Sequence, residues 1–213
     1  MCVTLLMQLE GNPEKLSDRL SALERVALFF SLLNVPVKPA KRHAAAQAML
    51  SSMHDVERIP KAYKLATEER AACAEGLRAP FEGVKRVKVA TAILVKLNAH
   101  ENWEGSETSG VESVVTLEHV LPQKPDKASW EEAWPDAEKR GEWLHRLGNL
   151  AIVNRKMNSK MNNGGFAAKK MEFKKSPFPR TRAIADHDSW EERDVKKAQR
   201  CVVELANSVF DVG

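Results

Sequence analysis

The side chains whose types and spacing could do chemistry gather in three short stretches. The first is Leu117-Glu118-His119-Val120-Leu121-Pro122-Gln123, the second Arg146-Leu147-Gly148-Asn149-Leu150, and the third Asn158-Ser159-Lys160. A histidine beside a carboxylate sets a proton acceptor that works near neutral pH next to an oxygen ligand for a hard cation. Hydrolysis of a phosphodiester needs both. A base takes a proton from water, and an oxygen-ligated cation stabilises charge on the phosphoryl and leaving oxygens. A neutral amide such as that of Asn158 can complete a Mg²⁺ shell through its oxygen and leave waters in place. Taken alone, a Glu-His pair is commonly a surface pair, and Leu-Gly-Asn-Leu is commonly a turn into a strand. The signal lies in their order.

The elements that must position these groups follow from local pattern. Val111–Val120 is alternating and β-branched, which predicts a strand that stops at Pro122. Neighbouring strand residues point to opposite faces, so Glu118 and His119 need a kink at the strand end to serve one site. A loop with a helical insertion follows through Trp130, Trp134 and Trp143, read as core rather than base-stacking residues. Leu150–Val153 is a second short strand, and Asn154–Met161 turns into a helix that ends at Asn162-Asn163-Gly164-Gly165. Ser189–Phe210 is an amphipathic helical tail through Trp190, Val195, Val202, Leu205 and Val209.

Residues 1–101 read as a helical bundle. Asn12 caps a helix that starts at Pro13, with Leu16, Leu20, Leu23, Ala27 and Phe30 recurring at helical spacing on one face. Ala40–Met53 is alanine-rich and helix-prone, Pro60 permits another helix through Gly76, and Val84, Val87, Ala90, Leu94 and Leu97 mark a further one. His43 and His54 are lone histidines and carry no expected chemistry. The polar segment 102–110 is the expected linker, and 111–213 the part that carries the chemistry. The fold expected is mainly α with a small ββα module.

With 213 residues, 43% hydrophobic and 29% charged, the composition is that of a globular domain. No apolar run approaches the roughly 18 residues that span a bilayer. The Val3–Leu9 stretch lacks the basic start and cleavage site of a signal peptide. Cys2, Cys73 and Cys201 are far apart with no Cys-x-x-Cys, so neither a zinc knuckle nor a disulfide framework is indicated. A cytoplasmic protein with free thiols and no membrane partner is expected. The net charge of +4 is mild, but its distribution is uneven. From Arg146 to Arg182 there are ten basic residues and one acidic residue, Glu172. Such a stretch suits a polyphosphate partner or a solvated lysine-rich face, and charge alone does not separate the two.

Glu-His-Val-Leu-Pro-Gln ending one strand, Gly-Asn opening a second, and an Asn on the helix nine residues after Asn149 resemble the HNH nuclease motif. They look like the HNH domain of RNA-guided CRISPR effectors. They look more like the C-terminal nuclease domain of GmrSD-type modification-dependent restriction enzymes, a half that SspE-type restriction proteins share. The parts that match are Leu117–Gln123, His145–Leu150, Asn158, Phe166–Lys170, Trp190 and Arg200, within roughly residues 84 to 210.

The resemblance implies a ββα-metal (HNH, His-Me finger) endonuclease that nicks DNA, modified or not, in restriction of phage or foreign DNA. It implies His119 as general base and Glu118 as metal ligand. Asn149 would hold the loop and orient the base, and Asn158 would be a second ligand of Mg²⁺ or Mn²⁺. His145 would contact phosphate or serve the structure. Lys169 and Lys170 would bind phosphate or face solvent on a helix. With Arg146, Arg155, Lys156 and Lys160 they complete the expected DNA-binding set. Glu118 departs from the Asp common in HNH enzymes, which leaves direct or water-mediated ligation open. Full-length proteins of this kind carry an N-terminal sensing domain related to ParB. Nothing in this sequence resembles it, so a C-terminal piece of a larger protein or a standalone relative is expected. The alternatives are a non-cleaving DNA-binding or autoinhibitory module on the same scaffold, or a ribonuclease.

Overall fold

A computed structural model describes residues 12–32, 47, 65–101, 115–161 and 164–212. The helix expected over Ala40–Met53 (Gln47 apart), His43, His54, Cys2 and the 102–110 linker lie outside these residues. The chain divides into two compact units, Met1–Leu77 with Phe210–Gly213, and Arg78–Val209.

In the first unit, helix α1 (Pro13–Leu32) begins as its sequence predicts, with Asn12 Oδ1 accepting from the Lys15 N–H at 3.2 Å. Helix α2 (Thr67–Arg78) starts with Glu69 accepting from the Ala66 N–H at 2.9 Å. Of the stripe expected on α1, Leu20 is half-buried and Ala27 exposed, and the side chains of Leu16, Leu23 and Phe30 lie outside those described. Ala22, Val26, Phe29 and Leu32 are buried. Apolar residues occupy so many positions of this helix that 3.6-residue periodicity admits more than one stripe. The helices approach closely where a Cβ on Gly76 would come within 2.8 Å of Leu32 Cβ.

The second unit is mainly helical around one hairpin. Helix α3 (Val84–His100) precedes strand β1 (Val115–His119). Short helices α4 (Lys127–Trp130) and α5 (Ala137–Leu144) form the tryptophan-rich insertion, and Asp136 caps α5 by accepting from the Glu138 and Lys139 N–H groups. A 3-10 turn over Leu147–Asn149 leads into strand β2 (Leu150–Asn154) and helix α6 (Arg155–Met161). Asn154, the last residue of β2, starts α6 by accepting from the Met157 N–H at 2.8 Å. Helices α7 (Phe166–Phe173), α8 (Pro179–Ile184) and α9 (Glu192–Phe210) follow.

β1 and β2 pair antiparallel with Val115 opposite Asn154 and His119 opposite Leu150. Alternation gives the hairpin two distinct faces. Thr116 and Glu118 share one with their partners Val153 and Ala151. The core on that side contains Met157 and Met161 of α6, Phe166 and Phe173 of α7, and Trp130, Trp134 and Trp190. Leu117 and His119 share the other face with Ile152 and Leu150. Helix α3 packs on both strands and α8 on β2. Thr181 of α8 donates to the Ile152 carbonyl at 2.7 Å. The strand–turn–strand–helix order is the ββα module that the sequence predicts. Trp130 and Trp134 are core residues, as read from the sequence. Trp143 is half-buried, with the cations of Arg146 and Lys196 5.8 and 5.7 Å from its ring centre.

Candidate active site at the end of the hairpin

Glu118 and His119 are the last two residues of β1, so the strand ends on the pair. Their side chains have different neighbours, as alternation requires. The His119 ring meets the ring of His145 edge to face, centroids 5.1 Å apart, with His119 Nε2 at 3.2 Å from His145 Nδ1. The Glu118 carboxylate instead meets the ammonium of Lys169, Oε1 to Nζ at 2.5 Å. The same ammonium donates to the His119 carbonyl at 2.7 Å.

Asn158 reaches this region from α6. Its amide nitrogen donates to Thr116 Oγ1 at 3.0 Å. Thr116 stands two residues before Glu118 on the same face of β1, so this bond sets Asn158 over the face that carries the carboxylate. With the nitrogen committed to Thr116, the amide oxygen is the atom left for a cation. Two oxygen donors, with no cluster of three His, Cys, Asp or Glu side chains among the described residues, fit a hard ion that keeps several waters.

Asn149 lies beneath the site and is fully buried, 0% exposed. Its side-chain oxygen accepts from the Leu121 N–H at 2.8 Å and from the Trp190 indole at 3.0 Å. Its nitrogen donates to the carbonyls of Leu121 at 3.1 Å and Leu144 at 2.9 Å. All four hydrogen-bonding positions of the amide are used. Its main-chain carbonyl accepts from the Val120 N–H at 2.9 Å. Asn149 therefore holds the two residues that follow His119, and none of its side-chain hydrogen bonds goes to the imidazole. The turn itself is pinned by Gln199 of α9, which accepts from the Gly148 N–H at 2.6 Å. A Cβ on Gly148 would overlap the Gln199 backbone nitrogen and lie 2.7 Å from its Cα, so only glycine fits.

Burial decides the electrostatics. It pushes the His119 imidazole down to about 4, helped by the electrostatic influence of neighbouring His145 and Lys169, so the ring is neutral near pH 7. Burial raises the Glu118 carboxyl, against the attraction and hydrogen bond of Lys169. It lowers the Lys169 ammonium, against the attraction and hydrogen bond of Glu118. The contact of each partner opposes the neutralisation that burial favours.

The basic residues separate into groups that their sequence does not distinguish. Lys169, expected at a phosphate surface or on a solvated face, is completely enclosed at 0% exposure. Lys170 is tied to the His187 carbonyl at 2.6 Å and to Asp188 at 3.5 Å. Arg146 donates to the carbonyls of Glu142 and Arg78. Lys160 is exposed and pairs loosely with Glu172 at 3.8 Å. Arg155 and Lys156, at the start of α6, are exposed.

Sequence reasoning did not find three of these placements: Lys169 at the Glu118 carboxylate, His145 at the His119 ring, and Thr116 at the Asn158 amide. For Lys169 a signal was present. Phe166, Lys169 and Phe173 stand at i, i+3 and i+7, one stripe of a helix, and both phenylalanines are buried. Thr116 also carried one, because it precedes Glu118 by two in a strand. Nothing in the spacing of residues 119 and 145 marks their contact.

A family model described as "GmrSD restriction endonucleases, C-terminal domain" matches residues 76–205, more than half of the chain. Among proteins of curated function none matches.

Proposed function

We propose a mechanism for a chain that belongs to the family of GmrSD restriction endonuclease C-terminal domains. Membership makes it a restriction nuclease domain, for which DNA is the implied substrate. Within that family we read it as an HNH-type enzyme that hydrolyses DNA phosphodiesters at the end of β1, one strand at a time, against phage or modified foreign DNA.

The observation that carries this reading is the Asn158–Thr116 hydrogen bond. It brings an amide from α6 to the face of Glu118; the next residue, His119, which burial keeps neutral, lies on the other face of the strand end, so phosphate would have to bridge the two faces at the tip of β1. Glu118 and Asn158 would hold Mg²⁺ or Mn²⁺. When bound, the ion supplies charge stabilisation for the phosphoryl oxygens and the departing 3′ oxygen.

His119 does the proton chemistry. If its Nε2 carries the proton and donates to His145 Nδ1, its Nδ1 keeps a free lone pair. That nitrogen takes a proton from water as the water oxygen bonds to phosphorus in line and the bond to the 3′ oxygen breaks. The alkoxide that leaves is protonated from solvent. His145 thus fixes the tautomer of the base. Exposed Arg155 and Lys156 at the start of α6 supply positive charge for the DNA backbone.

The test is plasmid nicking in Mn²⁺, with EDTA and RNA as controls, by the wild type, His119→Ala and Asn158→Ala. Open-circle DNA should precede linear DNA. His119→Ala should lose about 10²–10⁴ in rate at every Mn²⁺ concentration, whereas excess Mn²⁺ should partly restore Asn158→Ala. Wild-type rates in His119→Ala, or cleavage that persists in EDTA, would overturn the mechanism. Cleavage of RNA alone would overturn the substrate.

A further inference from the structure

Lys169 has no part in that hydrolytic scheme, yet its charged side chain is completely buried. Lysine is almost never fully buried unless paired. The burial follows from its place on the Phe166–Lys169–Phe173 stripe of α7. The stripe directs the chain into the core, and the ammonium emerges under the end of β1.

There it makes two contacts with consecutive residues. Nζ donates to Glu118 Oε1 at 2.5 Å and to the His119 carbonyl at 2.7 Å. A carboxylate has two oxygens, and Lys169 takes one of them. We propose that Lys169 is a positioning residue for the cation site. By holding Oε1 it fixes the Glu118 side chain with Oε2 as the ligand atom, and by holding the His119 carbonyl it locks the peptide that joins ligand to base. The proposal rests on the reading that Glu118 binds a divalent ion.

The geometry opposes a purely competitive role, in which the ammonium occupies the cation's place and is expelled by it. Such a lysine would need a route to solvent, and this one is enclosed. It would also have no need of the His119 carbonyl, which is not a ligand in this reading. A lysine that serves only to fill the core is a poor match too, because methionine would fill the same space without a charge to desolvate.

The experiment measures Mn²⁺ binding to the protein without DNA, by electron paramagnetic resonance, for the wild type, Lys169→Met, Lys169→Gln and Glu118→Gln. Near-ultraviolet circular dichroism checks the fold of each. Lys169→Met should bind Mn²⁺ at least ten-fold more weakly than the wild type, and Lys169→Gln, which keeps a donor, should lie between them. Equal or tighter binding by Lys169→Met would overturn the proposal. Wild-type Mn²⁺ affinity in Glu118→Gln would instead refute the metal reading on which the proposal stands. A measurement on the wild type alone covers variants that fail to fold. With lysine labelled by ¹⁵N, the Lys169 ammonium should stay protected from exchange when Mg²⁺ is added. Loss of that protection would mean that the ion expels the ammonium, and the positioning role would fall.

Discussion

Replacing Asn149 by alanine should unfold the turn that holds the strand end. The side chain is 0% exposed and makes four hydrogen bonds, of which those to Leu121 N, Leu121 O and the Trp190 indole are buried. The fourth, to the Leu144 carbonyl, is partly accessible to water. Each buried group left without a partner costs roughly 1–3 kcal/mol. Three such groups give a nominal loss of about 3–9 kcal/mol, and water entering the space left by the amide favours the lower part of that range. A loss of about 3–5 kcal/mol is a large share of the ~5–15 kcal/mol that holds a domain together. Urea unfolding, with the slope compared between proteins, measures it. Asn149→Asp sharpens the test because it keeps the acceptor toward Leu121 N and Trp190 while placing an oxygen against two carbonyls. A buried carboxylate there should have its folded-state pKa raised above the unfolded value of about 3.9. Its penalty should therefore be smallest below the unfolded pKa and grow as pH rises through the folded one. If Asn149→Ala loses less than about 1 kcal/mol, or if Asn149→Asp differs from wild type by the same amount at every pH, the four-bond account of this residue is wrong.

Three further outcomes are expected. The His119 imidazole, lowered to about 4 when folded, binds its proton less readily than in the unfolded chain, where the value is near 6.5. Stability from this group is complete above pH 6.5 and is lost as pH falls toward 4. The loss amounts to at most about 3 kcal/mol, and identical pH profiles of stability for the wild type and His119→Ala would refute it. Gly148→Ala should destabilise by about 2 kcal/mol or more, because its Cβ meets backbone atoms of Gln199 rather than a movable side chain. An unchanged melting temperature would contradict the close approach. Arg155→Ala with Lys156→Ala should reduce the salt slope of DNA binding by about two units, one for each phosphate that these side chains neutralise. The same slope in that double variant would move the DNA surface away from the start of α6.

The elements that position the site were legible because their signals are local. Alternating β-branched residues before Pro122, and apolar residues after Gly148-Asn149, read as strands, and the observed pair covers Val115–His119 and Leu150–Asn154. Asn12 and Pro13 marked a helix start by short-range chemistry alone, and that start is where the helix begins. The exposure of Ala27 on α1 was not legible, for the complementary reason. When half of a helix's positions are apolar, more than one stripe satisfies the period and packing against a neighbour, such as that of Leu32 on Gly76, chooses between them.

Charge converts into position less directly. Ten basic residues between Arg146 and Arg182 look alike in one dimension, and each can meet phosphate, a carbonyl or an acid. Arg146, Lys170 and Arg182 bond to main-chain carbonyls, Arg180 pairs with Glu101 at 2.8 Å, and Lys175 pairs with Glu172 at 2.9 Å. The bonds to carbonyls close turns and helix ends, where orphan carbonyls need donors. A basic stretch in a small helical domain therefore supplies its own architecture before it supplies an electrostatic surface. Counting cations overestimates the surface that DNA can meet. The count becomes informative once periodicity is added: Lys169 falls on the apolar stripe of α7 and turns inward, whereas Arg155 and Lys156 precede the buried Met157 and stay in solvent. A lysine at an apolar position of a helix beside a carboxylate-bearing strand is then a reason to look for a buried partner, and in this chain that partner is Glu118, next to His119.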